Sequence, residues 1–196
     1  MKKITALILA LMMSVCLFAG CKKDEATGSG KTSITVGISA DPTTLAPWDN
    51  NSGGRIAVLP NIYQPLLARE TLGGELKLAL ASSYELENES CVFHLYDNIT
   101  DSAGNKLTAS DVVFSYNTAK EAGSAIARTI NNYLKSIEAV NDTTVRMTFT
   151  SDLSKVLNAF ADMVTQMFVV TEKSFKDSGD VMAIKAVGTT QYKIKE

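Results

Sequence analysis

The fold of this chain is decided by residues 93–117, FHLYDNITDSAGNKLTASDVVFSYN. The stretch begins inside a predicted strand, 91–96, in which Cys, Phe and Leu alternate with residues that face the opposite side. Residues 97–105 then supply Asp, Asn, Ser and Gly, which favour turns because short polar side chains bond their own backbone and Gly accepts positive φ. Thr108 and Asp111 have the spacing of a capping box, which marks the start of a helix. The stretch therefore predicts a strand, a polar turn and a helix entry in immediate succession.

The remaining apolar periodicities predict further elements on both sides of this stretch. They are a strand at 32–39, a short helix at 55–59, a hairpin turn at 73–76, helices at 109–119, 125–134 and 153–164, a β-hairpin at 137–149, a buried run at 167–170 and a helical turn at 172–176. In the helix of 153–164 the predicted inward stripe includes Leu153, Leu157 and Phe160. Alternation of strands with helices indicates a mixed α/β fold.

The composition and net charge of the chain limit the classes of function that it can have. The chain has 196 residues, of which 45% are hydrophobic and 20% are charged, as in a folded globular protein. Its formal net charge is −2, and the sequence has no block rich in Lys or Arg. We therefore expect no nucleic-acid partner.

The first residues have the pattern of a lipoprotein signal. Lys2 and Lys3 precede the apolar run of residues 4–19, which is shorter than the roughly 20 residues that span a bilayer comfortably. The run ends in LFAGC, which resembles a bacterial lipobox although Phe18 stands where Leu is usual. We predict that 1–20 is a signal peptide and that Cys21 is lipidated and anchors the protein to the bacterial membrane. An uncleaved membrane anchor is the alternative.

A polar segment, 21–33, follows the predicted lipidation site. It contains Gly-Ser-Gly and lacks apolar periodicity. We predict that it is a flexible tether between the lipid and the folded domain, and hence that the domain is extracytoplasmic.

The sequence contains few of the side chains that usually act in catalysis or bind metals. His94 is the single histidine, which excludes a multi-histidine metal site and a Ser-His-Asp triad. Cys91 lies in a predicted strand and is interpreted as a small buried hydrophobe without a disulfide partner. We predict a protein that is not an enzyme and that has no metal and no cofactor.

Two acidic clusters leave alternatives open. Glu85, Glu87 and Glu89 share one face of a strand, where they could act as an acid–base pair or form a solvated edge; we favour the edge. The carboxylates of 97–105 could suggest calcium, but the loop lacks the spacing of an EF-hand, and we predict a turn.

One motif resembles a known family. Residues 104–115, GNKLTASDVVFS, resemble the signature of family 5 extracytoplasmic solute-binding proteins, the oligopeptide-, dipeptide- and nickel-binding receptors of ABC importers. Weaker similarities to that family lie at 41–47 (DPTTLAP, with Ala46 in place of an Asp), 61–67 (NIYQPLL), 80–85 (LASSYE) and 187–194 (VGTTQYKI).

The resemblance implies an α/β, periplasmic-binding-protein-like fold of type II, as in oligopeptide-binding proteins. By this resemblance 34–196 is the N-terminal part of a longer receptor, with an incomplete first lobe and no second lobe. Residues 34–51 and 187–196 belong to a split region of that lobe, and 52–186 to an inserted block.

The resemblance also implies a function. It predicts a substrate-binding component of an ABC importer, with a peptide or similar small solute and the permease subunits as partners. Peptide ligands of the family lie extended and bind main chain to main chain. The backbone that contacts the ligand falls here at Asn50, Asn51, Ser52 and Gly53. An ordinary surface loop is the alternative for these residues; a truncated fragment that transports nothing and a surface-anchored hydrolase are the alternatives for the protein.

Overall fold

An antiparallel sheet of four strands is the base of the fold. The structure, a computed structural model, describes residues 35–48, 57–71, 73–178 and 186–194. The strands are β1 (Leu67–Ala68), β2 (Lys77–Leu78), β3 (Ala81–Leu86), β4 (Ser90–Leu95), β5 (Leu134–Asn141) and β6 (Thr144–Phe149). The sheet has the order β3-β4-β6-β5, and β1 and β2 form a separate antiparallel hairpin.

The predicted central strand is β4, which pairs on both of its sides. Phe93 lies opposite Tyr84 of β3 and Val145 of β6. Phe93 is fully buried, as predicted for its face, but Val92 on the other face is also buried. Val92 lies in register between Glu85 and Arg146, whose long side chains can cover an apolar neighbour with their methylene groups.

The helices cover the apolar side of the sheet. They are α1 (Ala109–Ala119), α2 (Ala125–Tyr133), α3 (Leu157–Gln166) and α4 (Glu172–Ser178). Helix α1 begins at the predicted capping box, where the Asp111 carboxylate accepts the Thr108 amide at 2.7 Å and the Thr108 hydroxyl at 2.8 Å. Across the described ranges, no helix has the length and apolar character needed to cross a membrane.

Aromatic side chains join the sheet to α3. The ring of Phe160 stacks on Phe93 with centroids 6.3 Å apart and meets Phe149 edge-on at 5.6 Å. The buried Tyr116 of α1 donates its hydroxyl to the Met163 carbonyl at 3.0 Å. Burial raises the pKa of Tyr116, so this hydroxyl stays protonated and acts as a donor.

Two sequence predictions are wrong. Residues 35–39, part of the strand predicted at 32–39, have irregular backbone in the structure. A strand forms only when a neighbour accepts its backbone hydrogen bonds, and this segment joins no sheet among the described residues.

The second error concerns Leu157, which is 53% exposed rather than part of the inward stripe. The predicted helix of 153–164 is interrupted because Leu153–Lys155 is a 3-10 turn, capped by the Asp152 side chain. Helix α3 then restarts at Leu157, so the phase of the apolar stripe changes at this point.

A buried carboxylate, Asp101, connects the polar turn to α4. One of its oxygens accepts the amides of Ala103 and Asn105, each at 2.9 Å. The other accepts the hydroxyls of Thr171 and Ser174, each at 2.5 Å. Burial by itself would raise the pKa of Asp101, but these hydrogen bonds outweigh it and hold the pKa below the ordinary 3.8.

We expect Asp101→Ala to lower the free energy of unfolding by about 3 kcal/mol, because it leaves several buried donors without an acceptor. Urea unfolding at neutral pH measures this change. Asp97→Ala is the matched control, since Asp97 is an exposed residue of the same turn, and it should change stability by less than about 0.5 kcal/mol.

The pH dependence has a defined sign. Because the folded-state pKa of Asp101 is lowered, its contribution is complete above the ordinary value of 3.8 and is lost as the pH falls through the folded-state pKa. The stability difference between wild type and Asp101→Ala should be constant from neutral pH down to about pH 5 and should shrink in stronger acid. A difference that widens on acidification would contradict the role given to this carboxylate.

Candidate functional site

The predicted ligand loop has two described stems. Asn50, Asn51, Ser52 and Gly53 lie outside the described residues. The chain that leads into the loop, 45–48, is called here the first stem, and the chain that leaves it, 57–63, the second stem.

The first stem is fixed by Trp48, the single tryptophan of the chain. Its side chain is 5% exposed, and its indole N–H donates to the Phe168 carbonyl at 2.8 Å. Its ring lies 5.4 Å from that of Phe175. The first stem is therefore attached to the chain just before α4 and to α4 itself.

The second stem is attached to the same stretch. Tyr63 is fully buried, and its ring lies 6.0 Å from that of Phe168. The next residue, Gln64, forms a bridge with Val169, whose amide donates to the Gln64 carbonyl at 3.0 Å. The Tyr63 hydroxyl also donates to the Leu45 carbonyl of the first stem at 3.0 Å, so the two stems are bonded to each other.

Segment 186–190 crosses the second stem at Gly188. A Cβ at this position would lie 1.9 Å from the Ile62 carbonyl oxygen, so only glycine permits the approach. Thr190 donates its amide to the same oxygen at 3.3 Å and its hydroxyl to the Asn61 carbonyl at 2.5 Å. The Gly188 carbonyl accepts the Ser102 amide at 2.9 Å, which connects the second stem to the polar turn.

Sequence reasoning missed the anchoring role of Trp48 and the contact made by Gly188. A signal existed for each: Trp48 is the only Trp, placed beside Pro47, and Gly188 matches a glycine of the family pattern. Neither signal predicts which residue is contacted. Trp48, for example, bonds to Phe168, which is 120 positions away in the chain.

The acid–base alternative raised for Glu85, Glu87 and Glu89 is not supported by their positions. Glu85 and Glu89 are exposed, and Glu87 accepts from Arg146 at 2.7 Å on the sheet. Hydrogen bonds from Ser90 and Arg146 lower the pKa of Glu87, which keeps it an anion rather than a proton donor. Glu85 lies on the edge strand β3, whereas Glu87 and Glu89 lie in the turn before β4 and not on one strand face. All three are exposed, as expected of the solvated edge that we favoured.

His94 and Cys91, both on β4, have surroundings that suit a role in the fold rather than in catalysis. His94 is half-buried, with Nδ1 3.3 Å from the Thr144 hydroxyl. Cys91 is a free, fully buried thiol, and burial raises its pKa to about 12. The prediction of a small buried hydrophobe at Cys91 is therefore confirmed.

The predicted calcium alternative is resolved in favour of a turn. The carboxylate of Asp101 is occupied by protein donors, and Gly104 has a φ of +90° within the turn. Within the ranges that the structure describes, no group of three or more His, Cys, Asp or Glu side chains is placed to hold a metal ion.

A surface depression of about 540 Å³ lies on the outer side of α1. Phe114 lines it and packs edge-on against Phe175 at 5.4 Å, while Glu172 at its border pairs with Lys176 at 2.6 Å. The depression opens to solvent, and Glu172 at its border is already paired, so it lacks the enclosure of a ligand pocket.

The sequence of this chain matches the model of one protein family. The profile of the family described as bacterial extracellular solute-binding proteins, family 5 Middle, matches residues 75–196, which is more than half of the chain. The chain belongs to this family.

Similar proteins include glutathione-binding protein GsiB of Escherichia coli K12. The two are 26% identical over 194 aligned residues, which cover 95% of this chain and 35% of GsiB. The chain thus spans about a third of the length of the curated relatives that it matches.

Solved structures show the same fold. MoaA from A. tumefaciens R10, in complex with mannopinic acid, has a TM-score of 0.70 at 25% identity, over 80% of this chain and 33% of MoaA. Haemophilus influenzae OppA, in complex with RPPGFSPFR, has a TM-score of 0.71 at 20% identity, over 80% of this chain and 34% of OppA. The predicted α/β, oligopeptide-binding-protein-like fold is confirmed, as part of a lobe.

We expect Gly188→Ala to detach segment 186–190 from the second stem, because the added Cβ cannot coexist with the Ile62 carbonyl. Hydrogen exchange at the Ser102 and Thr190 amides should become faster, and the unfolding free energy should fall by roughly 2 kcal/mol. Gly37→Ala is the control, because a Cβ at that position meets nothing within 4 Å. Unchanged exchange at Ser102 in the Gly188 variant would show that this crossing does not depend on glycine.

Proposed function

We propose that this chain belongs to the extracytoplasmic substrate-binding component of an ABC importer for oligopeptides or dipeptides, held at the membrane by lipidated Cys21. The observation that carries the proposal is the family match over 75–196. The name of GsiB adds support for a small peptide as the solute, since glutathione is a tripeptide. MoaA was solved with mannopinic acid, which keeps other small solutes as the second candidate.

The proposed binding element is the backbone of Asn50, Asn51, Ser52 and Gly53. Its support is indirect: both described stems are attached to 168–175 and to each other, so little conformational freedom of the stems would be lost on binding. Gly53 would let the ligand backbone approach closely, and the polar neighbours would tolerate a wet cleft. The permease subunits are the proposed protein partners.

Binding by this chain alone should be weak. The chain spans about a third of its relatives' length, and a cleft with one side cannot bury most of a ligand's surface. We expect trialanine and glutathione to bind with dissociation constants well above about 1 μM, and calorimetry tests this expectation. Micromolar or tighter binding would show that the remaining length is not needed.

Two-dimensional NMR tests the loop itself. Titration with trialanine should shift the backbone amides of 50–53 and the indole N–H of Trp48. Gly53→Val should weaken binding by about tenfold or more because its side chain blocks the approach, whereas Asn51→Ala should have less than about a twofold effect, since only the backbone is used. Equal effects of the two substitutions would favour an ordinary surface loop.

The hydrolase alternative has a separate assay. Trialanine and glutathione are incubated with the purified chain and analysed by mass spectrometry, and both should be recovered intact. A control without the protein shows whether any cleavage depends on it. Cleavage that occurs only with the protein present would contradict the binding proposal and support a hydrolase.

The lipid anchor is tested by Cys21→Ala. Metabolic labelling with a fatty-acid probe should mark the wild-type protein, and the variant should lose both the label and membrane association, because the thiol is the acylation site. Cys16→Ala is the control and should retain the label. Persistent labelling of the Cys21 variant would exclude this anchor.

A further inference from the structure

Arg69 is a cation without a partner in the described part of the chain. It follows β1 directly and is half-buried. Its Nε is buried and has no hydrogen-bond acceptor, and Arg69 is absent from the ion pairs that the described residues form. A guanidinium nitrogen removed from water without an acceptor is unfavourable, so this position is incomplete as it stands.

The nearest acidic residue in sequence is already engaged. The Glu70 carboxylate pairs with Lys77 at 2.5 Å, across the hairpin of β1 and β2. Arg146 on the sheet provides the contrast, since it has both Glu87 at 2.7 Å and Ser90 at 3.4 Å. Arg146 therefore has an acidic partner, whereas Arg69 has none among the described residues.

The chemistry of the side chain identifies what is missing. A guanidinium has donors only, arranged in a planar fork that matches the two oxygens of a carboxylate. We infer that Arg69 is a recognition site for a carboxylate. The carboxylate comes from one of two sources: the free carboxyl group of the bound solute, or an acidic side chain in the part of a longer receptor that this chain does not span.

The first source rests on the proposed function, and the second does not. In both cases the short hairpin, whose strands pair Leu67 with Leu78 and Ala68 with Lys77, holds the backbone next to Arg69 in place before the anion arrives. The carboxylate would bind to Arg69 as it completes the hydrogen bonding of the buried Nε.

The ¹H–¹⁵N signal of the Arg69 Nε–H is the readout, measured on the 196-residue chain. Sodium acetate should shift this signal saturably, and sodium chloride at equal ionic strength should not, because screening is not specific to carboxylates. In Arg69→Gln, monitored at the neighbouring backbone amides, acetate affinity should fall by about tenfold or more. Arg69→Lys keeps the charge but not the fork and should be intermediate, and Arg128→Gln, an exposed arginine of α2, is the matched control.

Trialanine and trialanine amide distinguish the sources. Tighter binding of trialanine than of acetate, with loss of binding for the amide, assigns the carboxylate to the solute. Equal binding of acetate and trialanine assigns it to the receptor's own chain. Absence of a saturable shift, an effect that persists in Arg69→Gln, or equal binding of the amide would overturn the inference.

Failure here is separable from failure of the proposed function. Shifts at Arg69 without shifts at 50–53 would support the carboxylate site and count against the ligand loop. Shifts at 50–53 that leave Arg69 unchanged would do the opposite.

Discussion

The buried carboxylate of Asp101 is the interaction on which the arrangement of the loops depends. A buried anion must be matched by donors or a cation, and here the hydroxyls of Thr171 and Ser174 and the amides of its own turn supply the donors. These donors belong to separate parts of the chain, so satisfying the anion fixes the turn against α4. The neighbouring amide of Ser102 then fixes segment 186–190 through Gly188.

A second carboxylate extends the same constraint to α1. Asp111 uses one oxygen for the capping box and the other to accept the Glu172 amide at 2.8 Å. One side chain thereby caps α1 and the first turn of α4, where negative charge is favoured at both helix starts. Because Trp48 and Tyr63 attach the two stems to 168–175, the placement of the stems follows from where these two carboxylates place α4.

The features that were predicted correctly from sequence are those with local signals. The strand β4, the capping box of Thr108 and Asp111 and the hairpin of β5 and β6 depend on residues a few positions apart, which period and spacing report directly. The errors lie where the outcome depends on distant residues. Residues 35–39 have the alternation of a strand but no neighbour in the described sheet, and the bond between Ser174 and Asp101 joins residues 73 positions apart.

The candidate site itself was predicted only through resemblance, because a polar loop containing glycine has no signature of its own. What the structure adds is a contrast between two kinds of buried polar group. The Asp101 carboxylate is hydrogen-bonded by donors of the protein itself, so its role is to stabilise the fold. Arg69 has a buried donor that finds no acceptor among the described residues, although folding has fixed the hairpin around it. A protein tolerates such an unmatched group when another molecule or another part of the chain completes it, and this is the physical basis of the carboxylate proposal for Arg69.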